Sequence, residues 1–227
     1  MSIGNSFRGI MRLSDSTIDN INIQSNMFTM MRSDLILNNV QVSNITRDSD
    51  STARFFRIES TSDVTIENST FEDINFSLIT LTDSILKVHD SEMNNITASQ
   101  YIIECYSSQG VVIRNLSIYD SQTDDRPSII NFRDCTIESI SDSKFTESQL
   151  LVFVFRNSLV KEFDNNILDS MNRGIKIMNN SNATISNSVF KNMKQNIKEN
   201  TLYYSDIKES GSAIGKVALL LHRNREF

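Results

Sequence analysis

Apolar residues along this 227-residue chain recur in a fixed phrase rather than with a helical period. An eight-residue phrase occurs as Val64–Phe71 and again as Ala183–Phe190, with apolar residues at its first, third and last positions and Asn-Ser at its fifth and sixth. Looser copies end at eight apolar residues, here called anchors: Ile23, Val42, Phe71, Met93, Ile118, Phe145, Leu168 and Phe190. The mean spacing between anchors is about 24 residues, which is typical of stacked supersecondary units.

Two further columns lie upstream of the anchors. Five residues before each anchor the chain has an apolar residue: Ile18, Leu37, Ile66, Val88, Ile113, Ile140, Phe163 and Ile185. Three residues before each anchor it has Asn or Asp: Asn20, Asn39, Asn68, Asp90, Asn115, Asp142, Asn165 and Asn187. Because Asn and Asp tolerate left-handed backbone and hydrogen-bond to their own main chain, this column predicts a tight turn in every coil.

The last six anchors are preceded by a third element, in which two mainly apolar positions flank a variable one. The position fifteen residues before the anchor is Phe56, Leu78, Ile103, Ile130, Phe153 and Ile175, and the position thirteen before is Ile58, Thr80, Cys105, Phe132, Phe155 and Ile177. A period of two is typical of a strand with one buried face. The residues between them are therefore expected to face outward: Arg57, Ile79, Glu104, Asn131, Val154 and Lys176.

These columns predict an all-β fold, a parallel β-helix with three short strands in each of about eight to nine coils. We expect the β-helix to span residues 1–193 and the segment 194–227 to form a partial further coil or a cap. A helical solenoid would need apolar spacing near 3.6 over ten or more residues, which this chain lacks. All length variation is expected just after the anchors, so that segments such as 46–53 and 121–127 form variable loops along one edge of a rigid shaft.

Composition and charge exclude several functional classes. The chain has 33 Ser and 25 Asn but only 6 Gly and one Pro, which fits a repetitive solenoid better than an ordinary enzyme. The net charge of −6 argues against a nucleic-acid partner, because phosphate binding needs clustered Lys and Arg. No apolar run reaches the roughly 20 residues of a membrane span, and the first ten residues lack the apolar core of a signal peptide.

The columns resemble those of right-handed parallel β-helix proteins grouped as pectin-lyase-like. The phrase Ile-x-Asn-Ser-x-Phe at Ile66–Phe71 and Ile185–Phe190 is most similar to repetitive β-helix regions of protozoan surface proteins, and bacterial polymorphic outer-membrane proteins are similar in kind. This resemblance covers roughly residues 1–193 and implies the fold, while the fold itself hosts lyases, hydrolases, adhesins and stalks. Motifs of its polygalacturonase-like enzymes are missing or altered: Asp124-Asp125 lies in a variable loop, and Arg173–Lys176 contains an intruding Gly.

One face of the predicted coils carries the residues that are best suited to bind or react with a ligand. In lyases of the resembled fold the cleft lies beside the strand that bears the candidate ligand-facing residues Glu104, Asn131, Arg133, Arg156 and Lys176. An Arg or Lys there could act as a base against an acidic sugar, while an ordinary charged surface is the simpler interpretation. No catalytic, cofactor-binding or metal-ligating set is predicted, because Asp124 and Asp125 lie in a polar loop with no second acidic group in phase.

The remaining reactive residues receive structural or surface roles. His89 is expected to be solvated, Cys105 to be a small core residue, and Cys135 to be too far from Cys105 in the frame for a disulfide. Asn44, Asn75 and Asn95 are glycosylation sequons at the phase of the predicted loops.

The functional hypothesis is a non-catalytic structural or recognition segment of a cell-surface or secreted protein, which binds carbohydrate or another protein through its loops. The alternative is a pectin-lyase-like polysaccharide lyase or glycoside hydrolase.

Overall fold

The computed structural model describes residues 9–47, 54–60, 62–98, 100–123, 128–147, 151–171, 173–179 and 181–192. The predicted segment 194–227, most of the loop 46–53 and residues 124–127 lie outside the described residues. The described residues form strands and turns without a helix. The strands are β1 Ile10–Ile23, β2 Phe28–Met31, β3 Asp34–Arg47, β4 Arg54–Glu59, β5 Asp63–Glu67, β6 Thr70–Ile74, β7 Ser77–Thr82, β8 Ile85–Ala98, β9 Ile103–Tyr106, β10 Gln109–Tyr119, β11 Gln122–Thr123, β12 Ser128–Arg133, β13 Thr136–Ser141, β14 Lys144–Thr146, β15 Leu151–Arg156, β16 Leu159–Asp164, β17 Ile167–Asp169, β18 Arg173–Met178, β19 Asn182–Ser186 and β20 Val189–Lys191.

Within the described ranges the strands pair only in parallel, which confirms the predicted β-helix. One sheet has seven strands in the order β18-β15-β12-β9-β7-β4-β2, and the other follows the path β1-β3-β5-β8-β10-β13-β16-β19, with the shorter strands beside it. Each strand pairs with the equivalent strand of the next coil along the chain, so the coils stack with the strand spacing of about 4.8 Å. The eight levels of the longer path correspond to about seven turns of roughly 24 residues.

The anchors from the second copy onward form one continuous row, which is buried from Val42 to Leu168 and partly buried at Phe190. Pairing joins Val42 to Phe71, Phe71 to Met93, and so on through Ile118, Phe145, Leu168 and Phe190. The column five residues upstream is continuous from Leu37 to Ile185 in the same way. Aromatic rings add to this core. The rings of Phe145 and Phe153 pack edge to face, with their centroids 4.9 Å apart. The core is therefore built of vertical rows, as the repeat predicts.

Two assignments of register from the sequence are wrong. In the first coil Ile18, rather than Ile23, pairs with Val42, so Ile18 is the anchor. In the fourth coil Ile79 and Leu81 occupy the two core columns that the sequence assigned to Leu78 and Thr80, because Ile79 pairs with both Phe56 and Ile103. The first error is a shift of five residues and the second a shift of one, and only the pairing between coils distinguishes the alternatives.

Three columns of left-handed residues turn the chain at the corners of each coil. Every non-Gly residue with positive φ in the described chain belongs to one of them, and most are Asn or Asp, the residues that adopt this backbone at least cost. The first corner contains Asp15, Asn39, Asn68, Asp90, Asn115, Asp142, Asn165 and Asn187; the second contains Asn20, Asn44, Asp73, Asn95, Asp120, Glu147, Ser170 and Asn192; the third contains Arg32, Ser60, Asp83, Ser107, Asp134, Asn157 and Asn179. The placement of Asn20 in the predicted turn column is therefore wrong, because it lies at the second corner and Asp15 takes its position at the first.

Amide-to-carboxylate hydrogen bonds connect successive corners. The Nδ2 group of Asn115 donates to Oδ1 of Asp90 at 2.7 Å, and that of Asn165 donates to Asp142 at 2.7 Å. The two Asp residues therefore continue the first column, since an Asn of the following coil donates to each.

Buried serines follow many of these corners and account for much of the unusual composition. Ser69 Oγ accepts from the Val40 amide at 3.2 Å and donates to the Glu67 carbonyl at 2.7 Å. Ser143 makes the equivalent pair of bonds, to the amide of Leu116 and the carbonyl of Ser141. A hydroxyl suits this position because it accepts from an amide of the preceding coil and donates to a carbonyl of its own coil. The serine side chain is also small enough to fit in the buried corner.

Candidate functional site

The outer face of the seven-stranded sheet brings the candidate ligand-facing residues together in two adjacent rows. Pairing between β4, β7, β9, β12, β15 and β18 sets the inner row as Arg57, Thr80, Glu104, Asn131, Val154 and Lys176. The outer row, next to the third corner, is Glu59, Thr82, Tyr106, Arg133, Arg156 and Met178. Because every second residue of a strand faces the same side, both rows lie on one surface.

The prediction that Glu104 and Asn131 are open to a ligand is wrong, because both side chains are buried. Glu104 is 5% exposed and Asn131 is 3% exposed. The Tyr106 hydroxyl donates to Glu104 Oε1 at 2.5 Å, and Asn131 Nδ2 donates to the same oxygen at 3.3 Å. Burial and the bond to Glu104 raise the pKa of Tyr106 above its ordinary value. Burying a carboxylate without hydrogen-bond partners is costly, and these two donors supply such partners to Glu104.

Arg54 extends this polar surface towards the N-terminal coils. Its Nε donates to Thr80 Oγ1 at 3.0 Å, and its Nη2 donates to Gln100 Oε1 at 2.9 Å. Partial burial lowers the pKa of Arg54, while the charge of Glu104 opposes that shift. This network of neutral and charged partners fixes the central part of the face.

A shallow concavity lies where the outer row meets the third corner. It has a volume of about 380 Å³ and is lined by Arg133, Asp134, Arg156, Asn157 and Asn179. Arg133 and Arg156 are directly paired on β12 and β15, so two guanidinium groups stand on neighbouring strands. The Nε atom of Arg133 is 3.5 Å from Asp134 Oδ2. Two of the predicted ligand-facing residues thus share one basic concavity, whereas Lys176 lies on β18 in the inner row.

Two buried polar atoms of this surface lack a hydrogen-bond partner within the described chain. They are Oδ1 of Asn131, which is an acceptor, and Nε of Arg156, which is a donor. Asn131 lies in the inner row and Arg156 in the outer row, so both atoms belong to the two-row surface. Buried polar groups are nearly always paired in folded proteins, so these two atoms are exceptions on this surface.

A second concavity, at the second corner, is acidic. Its volume is about 480 Å³ and its lining consists of Glu72, Asp73, Asn94, Asn95, Asp120, Ser121, Gln122 and Glu147. Two of the carboxylates already accept from amides of the next coil, as Asn94 bonds to Glu72 at 3.0 Å and Asn95 to Asp73 at 2.6 Å. No group of three or more His, Cys, Asp or Glu residues within the described ranges is arranged to hold a metal ion.

The histidine and cysteines of the described chain have structural surroundings. His89 is half-buried in β8, and its carbonyl accepts from Ser91 Oγ at 2.7 Å. Cys105 and Cys135 are both buried and unbridged, and burial raises the pKa of each thiol. Cys135 occupies a corner position that serine fills in neighbouring coils, where its Sγ donates to the carbonyls of Arg133 and Cys105.

The three candidate glycosylation sites differ in their surroundings. The placement of Asn44 and Asn95 at loop phase is wrong, because they are second-corner residues within β3 and β8. Their Nδ2 groups donate to carboxylates of the preceding coil, that of Asn44 to Asp19 at 2.9 Å. A glycan on Nδ2 would remove one of these donor hydrogens. Asn75 is exposed between β6 and β7 and is the better placed of the three.

Several residues of the surface were missed by sequence reasoning. Tyr106 and Arg54 were not selected because their contribution depends on contacts between coils, although the outward period of two already placed Tyr106 beside Glu104. Asn157 and Asn179 are third-corner residues, and the third corner was not recognised as a column at all. Its recurring Asn, Asp and Ser residues, each directly after the last residue of a strand of the seven-stranded sheet, were the available signal.

Fold and site together define a parallel β-helix of right-handed type with a polar outer sheet face. A family model described as right handed beta helix region matches residues 56–207. The chain belongs to this family. No curated protein matches the chain.

Among solved structures, the chain is similar to HetL, a pentapeptide repeat protein involved in heterocyst differentiation regulation from the cyanobacterium Nostoc sp. strain PCC 7120. The identity is 7% and the TM-score 0.18, over 85% of this chain and 89% of HetL. At that TM-score the likeness has no bearing on the fold or the function of this chain. No helix in the described ranges is long and apolar enough to cross a membrane.

Proposed function

We propose that this β-helix is a non-catalytic structural or recognition segment of a cell-surface or secreted protein. The observation that supports the proposal is the contrast between shaft and surface. The shaft is fixed by continuous core rows and by corner hydrogen bonds that run from coil to coil, such as those of Asn115 and Asn165. Beside it, the outer sheet face offers a basic concavity of about 380 Å³ that is open to solvent.

The chemistry of that face favours binding over turnover. Glycoside hydrolysis uses two carboxyl groups that flank a bond, separated by roughly 5 to 9.5 Å. Glu104, the carboxylate at the centre of the face, is buried and accepts from Tyr106 and Asn131, which leaves it poorly placed to exchange a proton with a substrate. The arginines of the concavity are suited to hold an anionic group as fixed charges.

The enzyme alternative, a pectin-lyase-like lyase or hydrolase, makes a different experimental prediction. The purified full chain should be incubated with acidic, sulfated and neutral polysaccharides. Retention should be measured by affinity electrophoresis, and cleavage by the size and reducing ends of the polymer. A recognition segment is expected to retard at least one polymer without shortening it. Specific cleavage that is lost in Arg133→Ala or Lys176→Ala would establish the enzyme instead.

The prediction that Asn75 is a glycosylation site can be tested directly. When the chain is expressed through a eukaryotic secretory pathway, we expect a mass decrease on deglycosylation that Asn75→Gln abolishes. Its exposed position between strands supports this choice. Unmodified Asn75 in efficiently secreted protein would argue against glycosylation at this site.

A further inference from the structure

The two ends of the described β-helix are open sheet edges. The longer sheet path begins at β1 and ends at β19, and β20 pairs only with β17, so neither end has a further coil beside it among the described residues. Edge strands in natural sheets are commonly short or carry Pro or Lys, which hinders pairing with another chain. β1 is 14 residues long and contains neither Pro nor Lys. Its edge is therefore suited to pair with a further parallel strand.

The core rows also end in apolar side chains that are only partly covered. Within the described ranges, the partly buried apolar residues that pack on the core all lie in the first and last coils: Met11, Leu13, Ile18, Ile21, Ala183 and Phe190. In the coils between them the equivalent side chains are buried, as at Phe71 and Phe145. A further coil at either end would remove this apolar surface from water, which is favourable in proportion to its area.

The residue after the first corner shows what the first coil offers to such a neighbour. Inside the shaft, Ser91 Oγ accepts from the Ser69 amide of the preceding coil at 3.2 Å, and the Glu92 amide donates to the Ser69 carbonyl at 2.9 Å. The equivalent groups of the first coil are Ser16 Oγ and the Thr17 amide. Ser16 Oγ already donates to a carbonyl of its own strand at 2.7 Å, as the other corner serines do. One acceptor and one donor thus face the position of a preceding coil.

The last coil presents the complementary pair of groups at Ser188. One level earlier, the Asn166 amide donates to Ser188 Oγ at 3.1 Å, and the Asn166 carbonyl accepts from the Val189 amide at 2.7 Å. The amide and carbonyl of Ser188 therefore face the position of the next coil. Ser188 is 5% exposed, and neither group has a hydrogen-bond partner within the described chain.

We propose that the first coil of one copy stacks on the last coil of a second copy, so that copies of this chain join head to tail. The equivalence of the coils sets the register: Ser16 lies against Ser188 of the second copy, and Ile18 against its Phe190. In this register Ser16 Oγ accepts from the Ser188 amide and the Thr17 amide donates to the Ser188 carbonyl, as between coils of one copy. This inference goes beyond the proposed recognition function, which needs no second copy.

Charge favours this arrangement over contacts between like ends. Between the first and second corners of the first coil, residues 15–20, the charged residues are Asp15 and Asp19, and both are exposed. The last described coil, residues 173–192, has three basic residues and no acidic residue in its sequence. Two first coils in contact would place carboxylates opposite each other, which destabilises paired strands. A contact between unlike ends repeats without closing, so the expected product is an open filament.

Cysteine cross-linking of the full chain tests the register. Thr17 and Val189 lie at opposite ends of one row of paired residues, and the proposed register brings them together across two copies. Under mild oxidation, a mixture of Thr17→Cys and Val189→Cys should give about tenfold more cross-linked dimer than either variant alone, because neighbouring strands place their Cα atoms within disulfide reach. The matched control is Ser117→Cys, which lies in the same row in the middle of the shaft and should cross-link with neither variant.

Sedimentation velocity over a range of protein concentrations tests the association itself. We expect species of two and more copies that increase with concentration. Thr17→Pro removes the amide that faces the preceding coil, a position where an edge strand tolerates Pro, and should weaken association by about 10-fold. Ser16→Ala removes only the acceptor and should weaken it several-fold. Thr17→Val keeps the amide and is the matched control, with association within about twofold of wild type. Circular dichroism and the melting temperature establish that each variant is folded.

Three results would overturn the inference. A monomer at every concentration would show that the ends do not bind a second copy. Cross-linking of Thr17→Cys with itself as efficient as in the mixture would show contact between like ends. Equal association of Thr17→Pro, Ser16→Ala and wild type would exclude pairing at β1. None of these results bears on the recognition function, which is measured by polysaccharide binding, and cleavage of a polysaccharide would refute that function without affecting the stacking of copies.

Discussion

The buried corner serines allow a sharp test of what holds neighbouring coils together. Ser143 is 2% exposed and joins two coils through its hydroxyl. Its Oγ accepts from the Leu116 amide at 3.1 Å and donates to the Ser141 carbonyl at 2.8 Å. Ser143→Ala removes both bonds and leaves a buried amide without an acceptor.

The expected loss of unfolding free energy is about 1–3 kcal/mol, the usual penalty for a buried unsatisfied group. Packing contributes little to this loss, because the substitution deletes one oxygen and no carbon. The matched control is Ser117→Ala on the adjacent strand, where the hydroxyl makes no described hydrogen bond and the change should stay within about 0.5 kcal/mol.

Urea denaturation followed by circular dichroism measures the global effect, and amide hydrogen exchange measures the local one. We expect the Leu116 amide to exchange roughly 5- to 150-fold faster in Ser143→Ala, which is the same free energy expressed as an opening equilibrium. If Leu116 exchanged at its wild-type rate and the variant were as stable as Ser117→Ala, the proposed role of corner hydroxyls would be refuted.

Three further substitutions probe the core, a close backbone approach and a titrating group. Phe145→Ala empties a fully buried ring position and should lower the unfolding free energy by about 3–5 kcal/mol in urea denaturation; a loss below 1 kcal/mol would contradict the buried row. Gly174→Ala would place Cβ 3.0 Å from the ring of Phe190, so a destabilisation of about 1–3 kcal/mol is expected in the same assay, and an unchanged or higher stability would contradict that contact. The hydrogen bond from Tyr119 to Glu92 raises the pKa of Tyr119 to about 12, above its ordinary value of 10.0, so the stability from this bond is complete below pH 10 and is lost as the pH rises through 12. Ultraviolet titration of tyrosinate should show a step near pH 12 that disappears in Tyr119→Phe; a wild-type step for Tyr119 at its ordinary pKa would refute this interaction.

Much of the candidate site could be located from the sequence, although its exposure could not. The period of two along β12 placed Asn131 and Arg133 on one outward face, because side chains alternate along any strand. The spacing of residues in the sequence does not predict how deeply an outward side chain is buried by its neighbours. Glu104 and Asn131 are therefore on the predicted face but buried, and the usable charge lies one row further out, at Arg133 and Arg156.

The sequence by itself determined that the chain is a parallel β-helix and which residues form its core rows. That information is local and repeated: every coil must bury the same faces and turn at the same points, so apolar residues and Asn or Asp recur in phase from Val42 to Phe190. Tertiary structure alone decided the register at two places, in the first coil and at Leu78 and Ile79.

The first and second corners explain the error in the first coil. They lie five residues apart, both take mostly Asn or Asp, and both are followed by apolar positions, so the phrase from Ile18 to Ile23 resembles the one from Leu13 to Ile18. Only hydrogen bonding to the next coil distinguishes them, since a strand satisfies its backbone in one register and buries its apolar side chains in the same register.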